Sequence, residues 1–339
     1  PAILAIDQGT TNTKALLIAV DSGEVLGRAS HPLAIAYPRP DWAEQQPDAI
    51  WGSVAGAMGE VLATTPGTEV AAIAIANQRE TLVVWDAASG QPIAPAILWQ
   101  CRRTAKTCER MIADGADPTV VEATGLSINA LFPAAKLSWV MHNVPGARTL
   151  AADGRLRAGT VDSWLLYKLT KGHEFATDYS NASRTQLFNT QTLKWDEALC
   201  ALFGVPLAAL PEVRSSDSRF GGVAEGATVL QSGIPILAMM GDSHAALYGH
   251  GVRSPGLVKA TYGTGSSLMT LTPQRVLSRN GLSSTIAWSS KGEVVYALEG
   301  NITVSAQAAT FAADILGLED AGALSLLAQT VAALPDQTS

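Results

Sequence analysis

Ile3, Leu4 and Ile6 form an apolar run that ends on Asp7, and a second apolar run resumes at Ala15 after Gly9-Thr10-Thr11-Asn12-Thr13-Lys14. Two strand-length runs separated by a short glycine-bearing turn predict a hairpin over 3–7 and 14–20. A third strand around Glu24 to Ala29 extends it to a meander. Beyond that the period changes. Trp51 to Ala63 reads as a helix, Val70 to Ala76 as a buried strand, Leu82 to Trp85 as another strand and Arg103 to Ala113 as a helix. Such alternation predicts an α/β fold. Ala134 to Asn143 reads as a helix stopped by Pro145, and another starts at Asp162, its carboxylate placed to cap it. Ile234 to Met240 is a further buried strand ending at Gly241-Asp242, and Ser243 to Gly249 starts a helix.

Near 245–256 the pattern restarts. Leu257 to Tyr262 and Leu268 to Leu271 flank Gly263-Thr264-Gly265-Ser266-Ser267, a second hairpin tipped with glycines and hydroxyls. Val294 to Leu298 reads as a strand leading to Glu299-Gly300, with helices over 302–316 and 321–334. The restart divides the chain into a first domain over 1–250 and the start of a second over 251–339. One hairpin and two helices offer little sheet to pack against, so the second domain reads as cut short.

At 339 residues, 47% hydrophobic and 16% charged, the chain suits a compact two-domain protein rather than a disordered one. A net charge of −7 without any Lys/Arg cluster argues against nucleic acid as a partner. The longest apolar runs are strand-sized, which argues against a membrane span, and no leader pattern opens the chain. Three cysteines without a C-x-x-C read as reduced, core-filling thiols of a cytoplasmic protein. The histidines show no metal-ligand spacing.

The two hairpin tips suggest chemistry. Glycine lets backbone N–H groups approach a phosphate, threonine hydroxyls add hydrogen bonds, and Asp7 can hold a hydrated Mg²⁺ facing the same phosphates. Neither loop is a Walker sequence, and Asp-x-Gly is also ordinary turn chemistry. Asp242, placed where a strand passes into a helix, suits a general base that removes a hydroxyl proton during phosphoryl transfer; plain helix capping is the alternative. His244 is read as structural. Arg79 and Glu80 combine a five-donor guanidinium with an acceptor-only carboxylate, which suits a polyhydroxylated ligand; a surface ion pair is the alternative. Trp99 offers a flat ring to the C–H face of a sugar or polyol, or else packs in the core.

These residues resemble the FGGY carbohydrate kinases, essentially end to end. The resemblance rests on Asp7-Gln-Gly-Thr-Thr11, Tyr37-Pro-x-Pro-x-Trp42, Asn77-Gln-Arg-Glu80, Trp99-Gln-Cys-Arg-Arg103, Gly159-Thr-Val-Asp-Ser-Trp164, Thr177 to Arg184, Gly241-Asp242, Thr261 to Gly265 and Tyr296 to Gly300. It implies two actin-like (ribonuclease H-like) domains, with ATP and Mg²⁺ in the cleft between them, and transfer of a phosphoryl group to a polyol or sugar. By position it implies Asp242 as catalytic base, Asp7 and Asp242 near the metal, and Thr10, Thr11, Asn12, Lys14, Gly263, Thr264 and Gly265 around the nucleotide. Arg79, Glu80, Trp99, Leu131, Asp242, Ser243 and Ser267 fall at substrate positions. Family members that act on glycerol place Arg at position 14, Tyr at 131, Gln at 243 and Phe at 267. The smaller residues found here open the pocket to a longer polyol or a ketose. Family members also continue well beyond Ser339, so the chain is expected to be a fragment.

A non-catalytic sugar- or nucleotide-binding protein shares the pattern, but has no need of Asp7, Arg79 and Asp242 together. A hydrolytic ATPase of the same fold leaves Arg79, Glu80 and Trp99 without a job. The expected partner is a small polyol or sugar, with self-association open.

Overall fold

The computed structural model describes residues 1–262, 266–302 and 306–332. Strands β1 (Ala2–Gln8), β2 (Asn12–Ala19) and β3 (Val25–Pro32) form the meander, and helix α1 (Pro47–Thr64) leads into β4 (Val70–Asn77). Helices α2 (Pro133–Asn143) and α3 (Val161–Leu169) follow, then β5 (Pro235–Gly241) and α4 (Asp242–Gly249). One six-stranded sheet runs in the order Gly221–Gly222, β5, β4, β1, β2, β3.

Within it β5, β4 and β1 are parallel, while β2 and β3 run antiparallel. The register sets Gln8 and Gly241 on either side of Asn77, so three strands end at one level. The carboxyl ends of parallel strands are where an open α/β sheet presents a ligand site. Packing against the sheet holds that level in place. Ala2, Leu4 and Ile6 alternate inward along β1, and α1 lays Ile50, Val54, Ala57, Met58 and Val61 on the same core. Their spacing of three and four residues is one face of a helix.

A four-stranded antiparallel sheet stands on the other side: β6 (Val258–Tyr262), β7 (Ser266–Thr272), β8 (Ser283–Ser290) and β9 (Glu293–Ile302), in the order β6-β7-β9-β8. Helices α5 (Ala306–Ile315) and α6 (Ala321–Ala332) close the described chain. The expectation of one hairpin with little sheet is therefore corrected: Met269, Leu271, Trp288 and Ala297 build a core that also takes in Leu247 of α4. The serine-rich β8 escapes a hydropathy reading because its burial is satisfied by hydroxyls. Ser183 Oγ lies 2.9 Å from Thr285 Oγ1 and accepts the Ile286 N–H, and Ser216 and Ser289 exchange hydrogen bonds at 3.1 Å.

Asp162 does not cap α3. Thr160 occupies the cap position, and the Asp162 carboxylate is fully buried, accepting from the hydroxyls of Thr160 and Thr177. Burial, reinforced by Asp178, pushes its pKa up to about 6. The three cysteines are buried and free. No helix among the described residues is long and apolar enough to cross a membrane.

Candidate active site

Asp242 opens α4 directly after β5, at the level where the parallel strands stop. Gly241 permits the crossing, because a Cβ there would lie 2.7 Å from Arg79 Cγ and 3.0 Å from His244 Nδ1. Its N–H donates to Ser180 Oγ at 2.9 Å, and that hydroxyl donates to the buried Asp178 at 2.9 Å. The Asp242 carboxylate is crowded on most sides yet keeps 40% exposure. Its Oδ1 accepts the Ser243 N–H at 2.6 Å and lies 3.5 Å from Arg79 Nε. Lost hydration pushes its pKa up to about 6; Arg79 opposes the rise, while the charges of Glu80 and Asp7 add to it.

Arg79 and Glu80 are not a surface pair. Both are buried, and they approach no closer than 3.9 Å. Arg79 instead forks onto Glu299 of β9, with Nη1 donating to Oε2 at 3.0 Å and Nη2 to Oε1 at 2.7 Å. Glu80 accepts from Arg184 Nε at 2.6 Å, and Arg184 Nη2 lies 3.0 Å from Glu299 Oε2. The result is a buried chain of charges, Asp242–Arg79–Glu299–Arg184–Glu80, that ties the six-stranded sheet to the four-stranded one. Burial alone would raise the Glu299 pKa, but Arg79 and Arg184 hold it well below the usual carboxylate range.

Sequence reasoning named neither Arg184 nor Glu299 as a site residue. Both lie in the conspicuous blocks Thr177–Arg184 and Tyr296–Gly300, the available signal. Lys259 of β6 was also missed. It is buried, and its pKa is lowered by burial first and by Arg79 next, against the pull of Asp242 and Glu299. His244 is fully buried with Nε2 3.2 Å from Thr285 Oγ1, while its buried Nδ1 has no hydrogen-bond partner among the described residues.

At the β1–β2 turn, Gly9 N–H donates to Asn12 C=O at 3.0 Å. Thr10 is fixed twice: its hydroxyl accepts from Trp99 Nε1 at 3.0 Å and its carbonyl from Gln45 Nε2 at 2.6 Å. Thr11 is exposed at the tip, while the Asn12 amide is turned onto Ser30. Lys14 Nζ stands 4.0 Å from Asp7 Oδ2, both groups about half exposed. Partial burial raises the Asp7 pKa and Lys14 opposes the rise. Gly263, Thr264 and Gly265 lie outside the described residues.

The structure thus brings Asp7, Arg79, Glu80 and Asp242 into one electrostatic neighbourhood and joins Trp99 to the hairpin. Leu131 and Ser243 are half-buried. Ser267 is also half-buried, but its hydroxyl donates to Glu299 Oε1 at 2.7 Å, so it braces the charge chain. Among the described residues no group of three or more His, Cys, Asp or Glu forms a metal cage. An ion held by one or two carboxylates, water and ligand phosphates needs none, and Asp7 with Asp242 fits that requirement.

The N-terminal domain of the FGGY family of carbohydrate kinases matches residues 2–249. The chain belongs to that family. Two FGGY relatives are equally similar: a glycerol kinase of Symbiobacterium thermophilum, 45% identical over 95% of this chain, and an apulose kinase of Pectobacterium atrosepticum, 45% identical over 97%. The chain spans 64% of the length of the first and 66% of the second. Among solved FGGY structures, Plasmodium falciparum glycerol kinase with ADP superposes with a TM-score of 0.87 at 32% identity, covering 92% of this chain and 63% of that one. A xylulose kinase of Rhodospirillum rubrum gives 0.88 at 21% identity, covering 99% and 67%, which shows the shared fold. The actin-like α/β architecture expected from the motifs is the fold found.

Proposed function

We propose that this chain carries the acceptor site and part of the nucleotide site of an ATP-dependent kinase of a small polyol or ketose. The observation that carries this reading is Asp242, a solvent-reachable carboxylate with its pKa raised to about 6, held beside Arg79 where three strands end. A base poised near neutrality accepts a hydroxyl proton efficiently as the oxygen attacks a phosphoryl group. Arg79 and Glu80 orient the acceptor hydroxyls, and Trp99, locked through Thr10, lends its ring to the carbon skeleton. Thr10, Thr11, Asn12 and Lys14 face the phosphates, with Gly263, Thr264 and Gly265 in the same role on sequence grounds. Asp7 and Asp242 would hold Mg²⁺, which neutralises phosphate charge when bound. The domain division, 1–250 against 251–339, places Asp242 near the end of one unit and Glu299 on the other. A cytoplasmic setting accords with ATP use and with three free thiols.

The acceptor is open between two classes. The two equally similar relatives are named for glycerol and apulose, and Leu131, Ser243 and Ser267 are smaller or less polar than the side chains expected around glycerol. ADP release by the intact gene product should rise with one member of a panel of glycerol, erythritol, xylitol, xylulose, apulose, ribulose and gluconate. A response confined to glycerol removes the larger-acceptor reading. ATP turnover indifferent to every acceptor contradicts the kinase reading.

A further inference from the structure

Lys136, on α2, belongs to none of the roles above, yet it is fully buried. Burying an ammonium is costly unless its donors are used. Its Nζ donates to two backbone carbonyls: Glu80 C=O at 3.0 Å and Leu131 C=O at 2.6 Å. These residues come from segments far apart in the chain, and both carry side chains assigned above to the acceptor.

Glu80 is also the centre of a tight turn, with Thr81 N–H donating to Arg79 C=O at 2.8 Å. Its φ is +59°, in the left-handed region that strains a residue with a Cβ and persists only where the surroundings enforce it. Two groups enforce it. Arg184 Nε holds the Glu80 carboxylate from one side, and Lys136 Nζ holds its carbonyl from the other.

Resting on the kinase reading, we infer that Lys136 is a positioning residue for the acceptor: it clamps the strained Glu80 turn to the Leu131 loop and so aims the Arg79–Glu80 pair. It touches no reacting atom and acts through the backbone of the two loops. The groups that set its charge fit this role. Burial pulls its pKa down to about 7 and Arg103 lowers it further, while Glu80, Cys101 and Cys108 raise it. The neutral amine retains two N–H donors for the same two carbonyls, so the clamp holds on either side of that value.

The test compares wild type, Lys136→Met and Lys136→Gln in the intact gene product, with Glu80→Gly and the double variant Lys136→Met/Glu80→Gly. Lys136→Met should raise the KM for the acceptor by about 10-fold or more and leave the KM for ATP within about 2-fold. Lys136→Gln, which keeps amide donors, should lie between the two and serves as the readout if the Met variant does not fold. Glycine adopts a positive φ without strain, so a clamp acting through the Glu80 turn has little left to do once residue 80 is glycine. Lys136→Met should therefore cost at most about 2-fold more in a Glu80→Gly background. Equal losses in both backgrounds, or an acceptor KM unchanged in either folded Lys136 variant, overturn the inference. Calorimetric binding of the acceptor gives the same comparison without turnover, so a wild type that binds an acceptor but does not phosphorylate it refutes the kinase reading alone.

Discussion

Asp242→Asn lowers kcat for acceptor phosphorylation by about 10²–10⁴-fold, the span expected for removing a general base. The amide keeps the shape of the side chain and can still accept the Ser243 N–H, so the start of α4 survives. Arg79 stays neutralised by its two hydrogen bonds to Glu299, and no buried charge is abandoned. The acceptor KM should accordingly change only a few-fold, with an unchanged thermal transition. Steady-state ADP release checks both quantities. A kcat within 10-fold of wild type would remove Asp242 from the chemistry.

Glu299→Ala gives the largest expected loss of stability. It strips the shared counter-ion from Arg79 and Arg184, both buried, and breaking a buried pair by deleting one partner costs about 3–5 kcal/mol. Ser267 loses its acceptor as well. The contrast is Glu60→Ala, which removes the partner of His31 from a side chain that is 54% exposed and should cost no more than about 0.5 kcal/mol. Urea unfolding followed by tryptophan fluorescence measures both. A Glu299→Ala midpoint as close to wild type as that of Glu60→Ala would show that the two arginines find other partners and that the bridge between the sheets is dispensable.

Much of the framework was readable from residue patterns because its signals are local. The β1–β2 hairpin and the strands ending at Asn77 and Gly241 are apolar runs that stop abruptly, and those stops carry the candidate site. Arg79 and Glu80 were found for the same reason, as charges at a strand end. Their partners were not, because pairing is set by the fold. Arg79 meets a carboxylate 220 residues away, and Glu80 meets a guanidinium 104 residues away. The same holds for β8, whose serines are buried by hydroxyls from distant segments, and for Asp162, whose carboxylate accepts from Thr177 instead of capping its helix. Ser267 was singled out by its position alone, and its bond to Glu299, 32 residues away, is likewise set by the fold.

The pH dependence of kcat/KM for the acceptor tests most directly whether Asp242 takes the proton. A base must be ionised to act, and the Asp242 carboxyl is raised to about 6. Activity should be full above that value and fall with unit slope as pH drops through about 6. A profile flat from pH 5 to 8, in an enzyme that remains folded throughout, would contradict a proton-accepting role for Asp242.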